Sequence, residues 1–231
     1  MKKNNPFITA FIPARGGSKG IIDKNIKKFC GKPLIVHSIQ HALNCKLINN
    51  VIVSSDDPKI LQISSDAGAT IIKRPSELSN DTATTESTIN HFLKYSKENP
   101  DIIVLLQATS PLRPKKALDE ALKYFMKNQF DSLLSICPTH RFFWKIKTDD
   151  KLFAEYDYLR RPRRQDIKSI DKRYIENGSL YIFTKNIFNQ TGDRLGGNVG
   201  YIEWPEEFNI EIDTPLDFLL AEKIYSKLNL E

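Results

Sequence analysis

Apolar residues along this chain fall into short continuous runs, separated by stretches in which they recur every three or four positions. The first run, Phe7-Ile8-Thr9-Ala10-Phe11-Ile12, is continuous enough for a strand covered on both faces. From Pro33 to Cys45 the spacing turns helical. Leu34, Ile35, Ile39, Ala42 and Leu43 share one side, with Pro33 at a favourable first position. His37 and His41 lie four apart there without an H-E-x-x-H pattern, so both read as structural. Val51 to Asp56 reads as a second strand, Pro58 to Gly68 as a helix closed by glycine, and Thr70 to Lys73 as a third strand. Such a β-α-β-α-β unit implies a parallel sheet with right-handed crossovers.

The later pattern extends this core. A polar loop over Arg74 to Thr85 leads into a helix ending near Lys97, with Ser79 and Asp81 as candidate caps. Asp101 to Gln107 is the most apolar stretch and reads as the central strand. A helix is expected from Pro114 to about Asn128, and a core strand from Ser132 to Cys137. Between Pro138 and Ile175 aromatics interleave with arginines and lysines, which predicts short antiparallel strands inserted into the core, with exposed aromatic surface suited to a partner subunit. The core resumes at Asn177 to Phe183. A helix-like piece, a turn at Gly196-Gly197, a strand over Val199 to Trp204 and a helix after Pro215 complete it. The expected fold class is α/β: a Rossmann-like, mostly parallel sheet flanked by helices, one domain over 1–231, with an insert at about 138–175.

Composition narrows the setting. Hydrophobic residues at 40% and charged residues at 27% suit a soluble globular chain. No apolar run approaches the ~20 residues of a membrane span. The start, Met1-Lys2-Lys3-Asn4-Asn5-Pro6, runs straight into the first strand with no apolar signal region, so a cytoplasmic location is expected and no membrane partner. Cys30, Cys45 and Cys137 are far apart, without metal or disulfide spacing. The net charge of +6 is spread along the chain, so nucleic acid is not expected as a partner. The dense cluster Arg160-Arg161-Pro162-Arg163-Arg164 suits small phosphorylated or carboxylated ligands equally well.

The chemistry concentrates after the first strand. Pro13-Ala14-Arg15-Gly16-Gly17-Ser18-Lys19-Gly20, continuing to Lys24-Asn25, fits neither G-x-x-x-x-G-K-[ST] nor G-x-G-x-x-G. Its glycines nonetheless let backbone N–H groups approach an anion, and Arg15, Lys19 and Lys24 surround it with charge. This reads as a diphosphate or triphosphate cradle, with Lys24 as a solvent-facing cation. Ligands of open α/β sheets bind at the carboxyl ends of the strands, where Gln107 and Thr109 offer an amide and a hydroxyl to a base or ribose. Glu211-Ile212-Asp213 holds two carboxylates at alternate positions; on an extended segment both share a face. There they form either a solvent-facing edge before a helix start or a Mg²⁺ site beside a phosphate. Nucleotidyl transfer joins these parts, and no Ser-His-Asp or Cys-His set points to a covalent intermediate.

Taken in order, several segments resemble the CMP-sialic acid synthetases (acylneuraminate cytidylyltransferases). They are Ile12 to Gly20 with Lys24-Asn25, Val53-Ser54-Ser55-Asp56, Arg74 to Leu78 with Asp81-Thr82-Ala83, and Leu105 to Arg113. Arg164-Gln165, Asn177 to Ile182, and Ile212-Asp213-Thr214 with Asp217 follow. The resemblance implies transfer of CMP from CTP to the anomeric hydroxyl of a nine-carbon sugar acid, with Mg²⁺, in a homodimer. It assigns Arg15, Ser18, Lys19, Lys24 and Asn25 to the triphosphate and cytidine, and Arg74, Asp81, Gln107 and Thr109 to the nucleotide and sugar pocket. Lys145, Arg164 and Gln165 reach the sugar acid, some across the dimer, Asp213 holds the metal, and the insert is the dimerisation arm.

Two departures from the family pattern stand out. Glu211 stands where an aspartate is common, which changes the reach of a second metal ligand. Ile175-Glu176 stands where sialic-acid members often carry Arg-Pro, which points to a legionaminic- or pseudaminic-type diamino sugar. Three other functions compete: a cytidylyltransferase for the eight-carbon sugar acid of lipopolysaccharide, a non-catalytic nucleotide- or sugar-acid-binding homologue, and a glycosyltransferase with an acidic metal motif.

Overall fold

The computed structural model describes residues 5–148 and 150–230. Its strands are β1 (Ile8–Pro13), β2 (Lys28–Phe29), β3 (Lys32–Pro33), β4 (Asn50–Ser55), β5 (Thr70–Lys73), β6 (Ile102–Leu106), β7 (Ser132–Thr139), β8 (Trp144–Ile146), β9 (Leu152–Ala154), β10 (Arg173–Thr184) and β11 (Val199–Glu203). Its α-helices are α1 (Leu34–Leu43), α2 (Pro58–Asp66), α3 (Thr85–Tyr95), α4 (Ala117–Asn128), α5 (Lys185–Thr191) and α6 (Pro215–Lys227). Seven strands form one sheet in the order β11-β7-β10-β6-β1-β4-β5. β1 pairs in parallel with both β4 and β6, and β10 runs antiparallel between β6 and β7.

Alternation along the central strands builds a core on each face. Ala10, Ile12, Val104, Leu106, Leu180 and Ile182 pack with residues of α1, α4 and α6. Phe11, Ile103, Leu105, Tyr181 and Phe183 point the other way, onto Ile89 and Phe92 of α3 and Phe188 of α5. Two covered faces explain why the strands lack polar alternation. His37 is buried, bonded to the Phe29 carbonyl at 2.8 Å and edge-on to Phe29 and Tyr225. Among the described residues no helix is long and apolar enough to cross a membrane.

Four expected boundaries move. Thr84, not Ser79 or Asp81, caps α3, its side chain accepting from the Ser87 amide. α4 begins at Ala117 rather than Pro114, because Lys116 adopts a left-handed conformation at the N-cap. β10 begins at Arg173, so its first half is not part of the insert but a partner of β7. The segment 211–213 is no strand, although it pairs locally: the Ile212 amide donates to the Thr109 carbonyl at 2.8 Å. The insert itself carries the β8–β9 hairpin and three 3-10 turns.

β10 also carries an irregularity that shapes the molecule's working edge. Between Glu176 and Tyr181 its register against β7 shifts, and Gly178 takes φ +65°, a region that only glycine enters without strain. Ser135 and Asn177 staple this bulge. The Ser135 hydroxyl donates to Asn177 Oδ1 at 2.5 Å and accepts from the Leu180 amide at 3.1 Å. Because β10 runs opposite to β6, its bulge lies beside the carboxyl end of β6, where Leu180 pairs with Leu106.

Candidate active site

The carboxyl ends of β1 and β6 open into a cleft of about 570 Å³, well within the range of ligand pockets. It is lined by Arg15, Ser18, Lys19, Lys24, Asn25, Arg74, Asp81, Gln107, Thr109, Glu211 and Asp213. These are eleven of the fourteen residues singled out in the sequence. Lys145, Arg164 and Gln165 are not in this chain's cleft. Lys145 pairs with Glu155 in the insert, Arg164 reaches Glu206 at 3.4 Å, and Gln165 is exposed in a 3-10 turn.

The Gly-rich loop is held from both sides. The Gly16 amide donates to Asp56 Oδ1 at 3.0 Å, so the polar end of β4 supports the loop from behind. Buried Asn25 donates to the Arg15 carbonyl at 2.9 Å. Gly20 lies so close to the Asp213 carbonyl that a Cβ would sit 2.3 Å from it. The loop and the acidic segment are therefore in direct backbone contact.

Lys24 makes the same join with charge. Its Nζ donates to the Ile212 carbonyl at 2.7 Å and to Asp213 Oδ1 at 3.0 Å. Its side chain is 12% exposed, which corrects the expectation of a solvent-facing cation: Lys24 binds two chain segments together. Arg15 and Lys19 instead meet Asp81, at 2.8 and 2.5 Å. The Asp81 carboxyl is held below the usual carboxylate range, by the Lys19 hydrogen bond first and Arg15 next. Arg74 is 4% exposed and donates from Nε to the Ser79 hydroxyl at 2.9 Å, shaping the loop that presents Asp81. Burial pushes its guanidinium pKa down, partly opposed by Asp56.

The far wall is a polar network. Thr109 Oγ1 donates to Glu211 Oε1 at 3.1 Å. With its amide nitrogen facing the two acceptors, Gln107 donates to Glu211 Oε1 at 3.1 Å and to the Gly178 carbonyl at 2.8 Å. Lost hydration pushes the Glu211 carboxyl up, and the nearby Asp213 carboxylate adds to the shift. Asp217 fixes the position of Asp213. It accepts from the Thr214 amide and hydroxyl at 2.7 and 2.8 Å and from the Asp213 amide at 3.2 Å, completing the capping box of α6.

Among the described residues no three metal-ligating side chains cluster. The Glu211–Asp213 pair still fits Mg²⁺, which is typically held by one or two carboxylates with water and substrate phosphate. Burial first and the Asp213 carboxylate second raise the Glu211 pKa, and a cation between the two carboxylates would oppose both effects. Glu176 lies outside the cleft lining. Burial first, then its carboxylate, push the Tyr181 phenol up to about 12.

Two supporting residues carried no role in the sequence reading. Asn177, in a recognised motif, staples the bulge that aims the Gly178 carbonyl at Gln107. Arg113, in another, is wholly buried; arginine is rarely placed in a core without a partner, so only the motif could have drawn attention to it.

A mostly parallel sheet whose carboxyl edge sets a cationic Gly-rich loop against an acidic pair defines an α/β protein of the nucleotidyltransferase type. Comparison makes the assignment specific. A family model described as "Cytidylyltransferase" matches residues 9–226, and the chain belongs to that family. N-acylneuraminate cytidylyltransferase A of Danio rerio is 37% identical over 226 residues, covering 96% of this chain and 51% of that protein. Post-translational flagellin modification protein B of Campylobacter coli is 32% identical over 231 residues, covering 97% of each. The chain thus spans about half the length of the N-acylneuraminate relatives and nearly all of the flagellin one. A solved CMP:2-keto-3-deoxy-manno-octonic acid synthetase, complexed with CTP, shares the fold. Its TM-score is 0.72 at 17% identity, over 96% of this chain and 99% of that one.

Proposed function

We propose that this chain transfers CMP from CTP to the anomeric hydroxyl of a nonulosonic sugar and releases pyrophosphate. One observation carries the reading: a single cleft joins the Gly-rich loop, with Arg15, Ser18, Lys19 and Lys24, to the Glu211–Asp213 pair through direct contacts at Gly20 and Lys24. The sugar hydroxyl oxygen forms a bond to the α-phosphorus of CTP, the bond from that phosphorus to the α–β bridging oxygen breaks and pyrophosphate leaves with it, and the hydroxyl proton passes to solvent. Arg15, Ser18 and Lys19 bind the β- and γ-phosphates and stabilise charge on the leaving pyrophosphate. Lys24 keeps that loop at a fixed distance from the acidic wall, Asn25 holds the loop's own shape at the Arg15 carbonyl, and Gln107 and Thr109 orient nucleotide and sugar against the wall. Asp213 and Glu211 would hold Mg²⁺, which when bound neutralises phosphate charge and orients the α-phosphate.

The insert serves as the dimerisation arm in this reading. Ile146, Leu152, Phe153, Trp144 and Leu159 are exposed on it, and a partner copy would cover them. Lys145, Arg164 and Gln165 then act on the sugar acid in the partner's cleft. For the sugar we favour a legionaminic- or pseudaminic-type diamino acid of nine carbons, on the Ile175-Glu176 departure and on the match to a relative of equal length named for flagellin modification. Glu176 would exert any such effect from outside this chain's cleft.

Pyrophosphate release from CTP and Mg²⁺ is the test, with N-acetylneuraminate, legionaminate, pseudaminate and the eight-carbon acid as acceptors. Release with a diamino sugar supports the full reading. Clear preference for N-acetylneuraminate removes the sugar assignment, and preference for the eight-carbon acid moves the enzyme to its neighbour. CTP binding without turnover across the panel favours a non-catalytic homologue.

A further inference from the structure

Arg113 has the largest of the wholly buried side chains, at 0% exposure. Among the described residues no carboxylate pairs with it; its acceptors are two carbonyls and a hydroxyl. Nη1 donates to the Ser38 hydroxyl of α1 at 2.9 Å. Nη2 donates to the Gln107 carbonyl at 2.8 Å and to the Ser179 carbonyl at 3.1 Å, while Nε has no partner. A buried guanidinium without a counter-ion is costly, and its retention asks for a use beyond packing. Burial alone pushes its pKa down to about 9.

The three acceptors belong to elements that meet behind the cleft. Gln107 starts the turn after β6, and Ser179 follows Gly178 in the β10 bulge. The Gln107 amide spans the gap between these same two segments, rooted in one and donating to the Gly178 carbonyl of the other. Ser179 Oγ adds a second tie, donating to the Ser110 carbonyl at 3.3 Å. One planar fork thus sets the spacing across which Gln107 must reach, and α1 braces that fork through Ser38. A lysine has the charge but only a point donor, so it cannot hold two carbonyls and a hydroxyl in one plane.

We infer that Arg113 is a positioning residue for the transfer reaction: its buried fork fixes the β6 turn against the β10 bulge and thereby holds the Gln107 amide in the cleft. It touches no substrate and acts through Gln107. This rests on the proposed function for its kinetic readout, but not for its structural one.

The experiment is a cycle of wild type, Arg113→Lys, Gln107→Ala and the double variant, with Ser38→Ala as a milder loosening of the fork should Arg113→Lys fold poorly. Pyrophosphate release gives kcat/KM, and the side-chain amide signals of Gln107 are followed by NMR in wild type, Arg113→Lys and Ser38→Ala. Arg113→Lys should lower kcat/KM about tenfold in the wild-type background and less than about twofold once Gln107 is alanine. The Gln107 amide signals should broaden or shift toward those of a free amide. Equal losses in both backgrounds, or unchanged Gln107 signals in a folded Arg113→Lys or Ser38→Ala protein, would overturn the inference. A wild type that releases no pyrophosphate with any sugar would instead sink the proposed reaction, and the amide signals alone would then decide the role of Arg113.

Discussion

Asp81 and Glu211 are two acids facing the same cleft whose environments shift them in opposite directions. Asp81 accepts from Arg15 and Lys19 and so competes with any phosphate for those cations. Asp81→Asn should tighten pyrophosphate binding several-fold by calorimetry; weaker binding would show that Asp81 contributes to the ligand instead. Glu211 is raised by lost hydration and by Asp213. If its carboxylate form serves the metal, kcat/KM should fall as pH drops through that raised value. Glu211→Gln should erase the acidic limb along with much of the activity. Lys24 belongs to both stability and chemistry. Lys24→Ala should lower turnover at least tenfold and also cost about 1–3 kcal/mol in denaturant unfolding, since it removes hydrogen bonds to a carbonyl and a carboxylate. A normal melting curve would return Lys24 to the status of a surface charge. The sequence displayed the cations and acids openly, but not their pairings, which join residues 62 and 189 positions apart.

At the level of elements, the first strands were legible because period-two and continuous apolar runs are local. The errors came where a local signal had two uses. Ser79 and Asp81 looked like helix caps, since both types accept from backbone amides, yet Arg74 and Arg15 claim them. The start of α4 slipped because Pro114 is a favoured helix opener, while Lys116 turns left-handed two residues later. The first half of β10 was hidden among the aromatic and basic residues of the insert, and its strand nature depends on β7. The capping box of α6 is the element most directly tied to the site, for Asp217 holds the Asp213 amide. Asp217→Ala should cost about 1 kcal/mol, or about 2–4 °C in Tm. The Asp217 carboxyl is depressed by its Thr214 bonds. Its contribution is therefore complete above the unfolded-state pKa and lost as pH falls through the lower folded value. A variant as stable as wild type at neutral pH would mean that Thr214 alone caps the helix.

For the whole molecule, the insert carries a dense share of the exposed apolar side chains, among them Trp144, Ile146, Leu152, Phe153 and Leu159, while others such as Ile22 and Leu216 stand elsewhere. Ile146 is 73% exposed and Leu152 66%, cross-strand partners in the β8–β9 hairpin. The proposed homodimer predicts a sedimentation mass twice that of the chain, reduced to one by Ile146→Asp with Leu152→Asp. A monomeric wild type at micromolar concentration would remove the arm's assigned role and, with it, any reach of Lys145, Arg164 and Gln165 into a second cleft. The number and order of the core elements came from the chain alone. The insertion of an antiparallel strand beside the central one did not, because no local pattern encodes strand direction.

The contacts at Gly20 and Lys24 have a consequence for how the protein comes into being. They press the loop of residues 15–25 against residues 212 and 213 through contacts that span 188 and 189 positions, so one wall of the cleft is translated well before the other. A nascent chain carries its Gly-rich loop without an opposing wall until residues 212 and 213 have emerged. Competence to grip a ligand between both walls then waits on that later segment, however early the loop itself is made.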